Sequence, residues 1–156
     1  MLISVYINTM KHLITLLFTI FSISSYAQLK VDQSGEGWKE MVDSALILIK
    51  KVDPEKYKHL ETYCTKIGFW NGSFSSNEGT EIFVSREDIL LGSVENICCI
   101  LVHESKHIEL SKKGLPLQTE ECICYNYEMS FLNKLNNVDW LKQNCFLRLN
   151  QYECDI

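Results

Sequence analysis

From Ile97 to Leu110 the sequence reads Ile-Cys-Cys-Ile-Leu-Val-His-Glu-Ser-Lys-His-Ile-Glu-Leu. An apolar run leads into the histidines, which is typical of a largely buried helix. Residues four apart lie on one face of an α-helix, so His103 and His107 can direct both imidazoles at a single ion. Zn²⁺ suits such a pair because it binds neutral imidazole nitrogens. The stretch therefore predicts a buried helix that supplies two ligands to a metal ion.

Glu104 lies about 100° further round the same predicted helix than His103. From there it cannot easily share the ion, but its carboxylate can reach a water molecule bound to the ion. A carboxylate beside a water acidified by a metal is the arrangement that metal-assisted hydrolysis requires. Two histidines and a glutamate in a buried helix would be costly without a partner, which argues against a chance motif.

Residues 102–108, Val-His-Glu-Ser-Lys-His-Ile, resemble the active-site helix of the zincin metallopeptidases. The similarity is to the gluzincin branch, in which a glutamate on a later helix is the third ligand, and it covers approximately residues 81–135. Lys106 departs from the uncharged residue usual at that position, and no G-x-x-H follows, which argues against the metzincin branch. The resemblance implies a zinc peptidase that acts on peptide or protein substrates, with Glu104 as the catalytic base. The spacing alone implies only the metal.

The next predicted helix opens at Thr119, which can cap it, and runs to about Leu135. Two glutamates in its first turn lie near its apolar face: Glu121 is about 40° from the centre of that face and Glu120 about 60°. A helix that directs acids at its own core face needs a positive charge there, and the ion held by the two histidines would supply it. Glu121 is therefore predicted as the third Zn²⁺ ligand, with Glu120 left as the alternative.

Two further positions on this helix fit the same site. The Glu-x-x-small pattern from Glu121 to Cys124 resembles the third-ligand helix of gluzincins, with cysteine where alanine is common. Glu128 lies still closer to the centre of the apolar face, two turns further on. We predict that Glu128 accepts a hydrogen bond from a ligand imidazole and so orients the ring.

Apolar spacing predicts three more helices, at Trp38–Val52, Pro54–Tyr63 and about Val138–Leu149. His59 lies off the apolar stripe of its helix and is predicted to face solvent rather than to bind metal. Strand-like runs at Lys66–Ser73 and Glu81–Ser85, with a turn signal at Asn71-Gly72, predict a small antiparallel sheet. The predicted fold class is α+β: one mainly helical, zincin-like domain with a short antiparallel sheet beside the motif helix. The resemblance implies that Glu81–Ser85 forms the upper edge of the substrate cleft.

The first 27 residues have the pattern of a secretory signal peptide, with Lys11, the apolar run Leu13–Phe21 and a small-x-Ala end at Ala27. The apolar run is shorter than the roughly 20 residues that span a bilayer. Met10 offers an alternative start, which would leave residues 1–9 outside the protein. The prediction is a single domain of residues 28–156, exported to the periplasm or the medium, with no stable membrane insertion after cleavage.

The chain of 156 residues carries 20 acidic and 15 basic side chains and has no long basic run. Nucleic acids and anionic membrane surfaces attract proteins through clustered lysines and arginines, so the composition disfavours both as partners.

All seven cysteines follow the predicted signal peptide, and export favours disulfides. An odd number leaves at least one cysteine outside any intrachain pair. The sequence contains no Cys-x-x-Cys pair, which disfavours a zinc finger. Spacing does not fix the pairing, and the candidate pairs are Cys145 with Cys154, and Cys98 or Cys99 with Cys122 or Cys124.

Two other functions remain open from the sequence. The predicted domain is small for a protease, which ordinarily has a second lobe to complete its substrate cleft. This favours, as the alternative, a non-catalytic zinc-binding zincin-like module that acts in partner binding or structure. The third possibility is a small exported interaction protein in which the motif is coincidental.

Overall fold

The computed structural model describes residues 29–32 and 37–154, which form a mixed helical and β structure. The predicted signal peptide, residues 1–27, lies outside the described residues. Six helices and four strands occur in the described part, in the order β1 Lys30–Val31, α1 Trp38–Val52, α2 Pro54–Tyr63, β2 Lys66–Trp70, β3 Ser76–Glu78, β4 Glu81–Ser85, α3 Arg86–Leu91, α4 Val94–Leu110, α5 Leu117–Leu132 and α6 Asp139–Gln151.

The first two helices have the predicted bounds, and local chemistry explains why. The apolar face of α1 buries residues at spacings of three and four, among them Val42, Ala45 and Ile49. The Asp53 side chain then accepts the backbone N–H of Lys56 and caps α2, with Pro54 at its first position. Proline fits there because its missing N–H would have no partner in the first turn.

Helix α4, which carries the histidine motif, is the centre of the fold. It packs against α1, α2 and α5, and also against β3 and β4. Ser93 caps its start by accepting the backbone N–H of Asn96 at 3.3 Å, and Gly114 adopts a positive φ of 60° just beyond its end. The helix thus begins directly after a serine cap and ends four residues before a glycine with positive φ. Ile97 and Leu101 are fully buried, so the face of α4 away from the histidines belongs to the core.

The four strands form one mixed sheet in the order β1-β2-β4-β3. Strand β2 pairs in parallel with both β1 and β4, and only β3 and β4 are antiparallel. The prediction of an antiparallel sheet was therefore wrong for most of the pairings. Strand β4 is also internal rather than at the edge, and the edge strand beside α4 is β3.

The position of the tight turn explains this difference. The hairpin turn lies at Gly79-Thr80, where Gly79 has a φ of 59°, whereas Asn71-Gly72 lies in the connection from β2 to β3, which do not pair with each other. The hairpin therefore joins β3 to β4 and places β4 between β3 and β2. Ile82 and Val84 are fully buried, as expected for a strand inside a sheet.

The second half of the chain folds back on α4. Helix α5 begins at Leu117, two residues before the predicted start, so Thr119 lies inside its first turn and does not cap it. Helix α6 packs along α5 and matches the predicted C-terminal helix. Among the described residues, no helix is both long and apolar enough to cross a membrane.

The disulfide joins Cys122 to Cys154, so both predicted pairings were wrong. Because α6 runs back along α5, its end returns to the first turns of α5, where Gln118 Nε2 donates to the Tyr152 carbonyl at 2.8 Å. Cys145 lies buried under α5 instead, with its thiol 3.3 Å from the Tyr125 carbonyl oxygen. The cross-link fixes the C-terminal end of α6 against α5.

Replacing Cys154 by serine should lower the free energy of unfolding by about 3–4 kcal/mol. The reason is that a bridge between residues 32 apart in sequence restricts the unfolded chain. Urea denaturation of the oxidised protein and of the variant measures the difference. Reducing the wild type should reproduce the loss, whereas the variant should not respond to reductant. An equal stability of the two oxidised proteins would contradict the pairing.

Candidate metal centre

His103 and His107 project from α4 one turn apart, as the spacing predicted. Their Nε2 atoms face each other at 3.0 Å, and the ring centroids are 4.8 Å apart. Both side chains are largely buried, with exposed fractions of 10% and 12%. The two nitrogens thus converge on one point between α4 and α5.

Glu121 reaches this point from α5. Its carboxylate oxygens each lie 3.6 Å from one imidazole, Oε2 from His103 Nε2 and Oε1 from His107 Nε2. Glu120, the alternative ligand, lies instead 2.8 Å from Nδ1 on the far side of the His107 ring. Of the two acids considered, only Glu121 therefore faces the nitrogens that converge.

Glu128 lies behind His103, two turns along α5 from Glu121. Its Oε2 is 3.0 Å from His103 Nδ1. Since a carboxylate only accepts hydrogen bonds, the imidazole donates from Nδ1. The prediction that Glu128 accepts a hydrogen bond from an imidazole is confirmed, and Glu120 accepts the equivalent bond from His107 Nδ1.

Cys124 is a member of the site that sequence reasoning missed. His103, His107 and Cys124 form a group whose ligand atoms all lie within 4.8 Å of one another and that could hold a metal ion. Cys124 is fully buried, one turn after Glu121. Cys124 was predicted as the small residue of the Glu-x-x-small pattern and as a disulfide candidate, but it is a free thiol on the face of α5 that meets the imidazoles.

The surrounding carboxylates favour positive charge at the two imidazoles. Burial by itself would lower the pKa of His103, but the hydrogen bonds with Glu121 and Glu128 outweigh it and raise the pKa to about 9. The pKa of His107 is raised in the same way, against burial, by Glu121 and Glu120. Burial raises the pKa of the Cys124 thiol, and the charge of Glu121 adds to this.

Glu104 lines a cavity of about 200 Å³ that opens beside His103. Its Oε2 accepts a hydrogen bond of 2.8 Å from Asn77 Nδ2 on β3. The Tyr125 ring lines the same cavity and packs on His103 with centroids 4.4 Å apart. The predicted base therefore lies beside a space in which a small part of a substrate can bind.

His59 was predicted to face solvent, and this is wrong. Its side chain is only 15% exposed, and Nε2 donates to Glu109 Oε2 at 2.8 Å. Nδ1 lies 3.3 Å from the hydroxyl of Ser105 on α4. Burial lowers the pKa of His59, although the hydrogen bond to Glu109 opposes the effect. His59 is not a member of the metal-binding group.

Neither a family model nor a curated protein nor a solved structure matches this chain. The resemblance of its motif to that of gluzincins therefore stays a prediction.

Proposed function

We propose that this protein is an exported zinc-dependent peptidase of the zincin type. In the proposed site His103, His107 and Glu121 hold Zn²⁺, and Glu104 is the general base. The Cys122–Cys154 disulfide supports export, because such bonds persist in oxidising compartments.

One observation carries the proposal: two imidazole nitrogens and the Glu121 carboxylate converge, at 3.0 Å between the nitrogens and 3.6 Å from each nitrogen to a carboxylate oxygen. Each imidazole uses its Nδ1–H for a carboxylate, His103 for Glu128 and His107 for Glu120. The neutral rings then present bare Nε2 lone pairs to each other and to the Glu121 carboxylate. Such an arrangement is repulsive unless a cation lies at the point of convergence, either a proton on one imidazole, which the raised pKa of His103 favours, or a bound metal ion.

The distances support a metal ion as that cation. A tetrahedral Zn²⁺ with bonds of about 2.05 Å separates its ligand atoms by about 3.3 Å. The two nitrogens are 3.0 Å apart, and each lies 3.6 Å from a different Glu121 oxygen, His103 from Oε2 and His107 from Oε1. Small side-chain shifts would bring the two nitrogens and one carboxylate oxygen to the ideal spacing, so the donor set fits the ion.

When bound, zinc would polarise a substrate carbonyl and acidify a water molecule. The chain supplies the proton transfers: Glu104 takes a proton from the attacking water and delivers it to the leaving amine. The cavity beside Glu104 gives the substrate a place next to this carboxylate. The hydrogen bonds that the imidazoles donate from Nδ1 to Glu120 and Glu128 hold the rings in the tautomer that a metal requires.

A second candidate function, a non-catalytic zinc-binding module, is favoured by Cys124. Thiolate is a strong zinc ligand. The Cys124 thiol belongs, with His103 and His107, to the group that could hold the ion. If Cys124 bound together with the two histidines and Glu121, four protein ligands would close the coordination shell. Closed shells are typical of structural zinc sites, whereas catalytic sites keep one position open.

The first test measures zinc and hydrolysis in the purified domain of residues 28–156. We expect about one zinc per chain by elemental analysis, cleavage of members of a broad peptide library, loss of cleavage with a chelator and recovery with added zinc. A chain without zinc would reject both zinc functions. One zinc per chain with no cleavage would reject the peptidase and favour the module.

Replacing Cys124 by alanine separates the two candidates further. We expect the variant to keep wild-type zinc affinity and hydrolysis, whereas Glu121→Gln should weaken zinc binding more than about 100-fold because it removes a charged ligand. Competition with a chromophoric chelator measures both affinities. A cobalt-loaded wild type that shows a thiolate-to-metal charge-transfer band, lost in Cys124→Ala, would instead identify Cys124 as a ligand and support the module.

A further inference from the structure

Asn77 makes a direct contact with the proposed base. Its Nδ2 donates to Glu104 Oε2 at 2.8 Å, from the edge strand β3 across to α4. Because the partner is a carboxylate, which only accepts, the amide must present its nitrogen and not its oxygen. The orientation of the Asn77 side chain is therefore fixed by chemistry.

The β3–β4 hairpin aims Asn77 at α4. In the register Asn77 lies opposite Ile82, which is fully buried against the core, so both side chains are on the inner face. The neighbours Ser76 and Glu78 are exposed on the outer face. A shift of the register by one residue would turn Asn77 to solvent. The short turn at Gly79 holds the register, with a backbone conformation that glycine adopts readily.

We infer that Asn77 is a positioning residue, which holds the Glu104 carboxylate at the cavity beside His103. The inference rests on the proposed function, in which Glu104 moves the proton. A glutamate side chain has three rotatable bonds, and holding Oε2 restricts all of them. Oε1 is then the oxygen left to take the proton. A general base must be held within hydrogen-bond reach of the proton that it accepts.

The test replaces Asn77 by alanine and by aspartate. Alanine removes the donor, and we expect kcat to fall about 10–100-fold with KM and zinc content unchanged, as for other residues that orient groups at a metal site. Aspartate preserves the shape but sets a second carboxylate against Glu104, and kcat should fall further. Ser76→Ala and Glu78→Ala, on the outer face of the same strand, are the matched controls and should behave as the wild type.

A double-mutant cycle shows whether Asn77 acts through Glu104. Glu104→Asp shortens the base so that the Asn77 amide no longer reaches it. The Asn77→Ala change should then cost much less in that background than in the wild type. An equal loss in both backgrounds would mean that Asn77 supports the hairpin rather than the base, and would overturn the inference.

A readout without hydrolysis separates this inference from the proposed function. In protein labelled with ¹³C at glutamate carboxyls, the Glu104 signal is identified by its loss in Glu104→Gln. We expect Asn77→Ala to shift that signal and to increase its mobility, with the other glutamates unchanged. An unaffected Glu104 signal overturns the inference whatever the activity. If Asn77→Ala shifts the Glu104 signal but the wild type hydrolyses no peptide, the positioning role of Asn77 stands and the peptidase function is rejected.

Discussion

Replacing Glu104 by glutamine should lower kcat for peptide hydrolysis by about 10²–10⁴-fold while zinc content stays at about one per chain. Glutamine keeps the length of the side chain and an oxygen that can still accept the Asn77 amide, so the local structure is preserved. It cannot take a proton from water at neutral pH, and the proton transfer is therefore lost. Steady-state kinetics on the best library peptide, with elemental analysis of the same sample, measures both quantities.

The matched control for this change is Glu95→Gln in the first turn of the same helix. It removes the same charge from α4 at a distance from the histidines and should leave kcat close to that of the wild type. Loss of activity in both variants would point to the charge of the helix rather than to a base. Wild-type activity in Glu104→Gln would remove Glu104 from the mechanism.

Replacing His103 by alanine should abolish zinc binding, with the apparent affinity lowered more than about 100-fold and hydrolysis lost with it. The change deletes one of the two converging nitrogens and leaves Glu128 without its imidazole partner. A ligand at a thousand times its Kd stabilises the native state by about 4 kcal/mol, so zinc should raise the melting temperature of the wild type but not of the variant. Elemental analysis and melting with and without chelator measure the effect.

His59→Ala is the control for the loss of a partly buried histidine. His59 makes its own bond to Glu109 and lies outside the metal-binding group. This variant should lose stability but keep one zinc per chain. Stoichiometric zinc in His103→Ala would show that the ion is held elsewhere and would reject the proposed ligand set.

The helices were predictable because their signals are local. The apolar stripe of α1, the Asp53-Pro54 start of α2 and the Ser93 cap of α4 are each read within a few residues. The sheet was not predictable in the same way. Strand β3 reads Ser-Asn-Glu, with no apolar alternation, and it is a strand only because β4 pairs with it. Strand order depends on contacts between distant segments, which spacing does not encode.

The same distinction between local signals and contacts between distant segments applies to the candidate site. The convergence of His103 and His107 follows from helical spacing, and the direction of Glu121 follows from its position on the helical wheel. The approach of Cys124 and the contact of Asn77 with Glu104 depend on how α5 and β3 dock against α4. Glu120 shows the limit of the wheel argument. The two acids lie on opposite sides of the face centre, about 100° apart, yet both reach an imidazole, Glu121 on the Nε2 side and Glu120 at Nδ1.

The single cross-link between Cys122 and Cys154 bears on how the protein can be prepared. All seven cysteines are among the described residues, and the other five are buried free thiols whose pKa burial raises, which leaves little thiolate to react. Once the chain has folded, scrambling should be slow, and oxidative refolding from inclusion bodies should end in one isomer. Alkylation with iodoacetamide followed by mass spectrometry should then label none of the cysteines in native protein, two after mild reduction and all seven after denaturation with reductant.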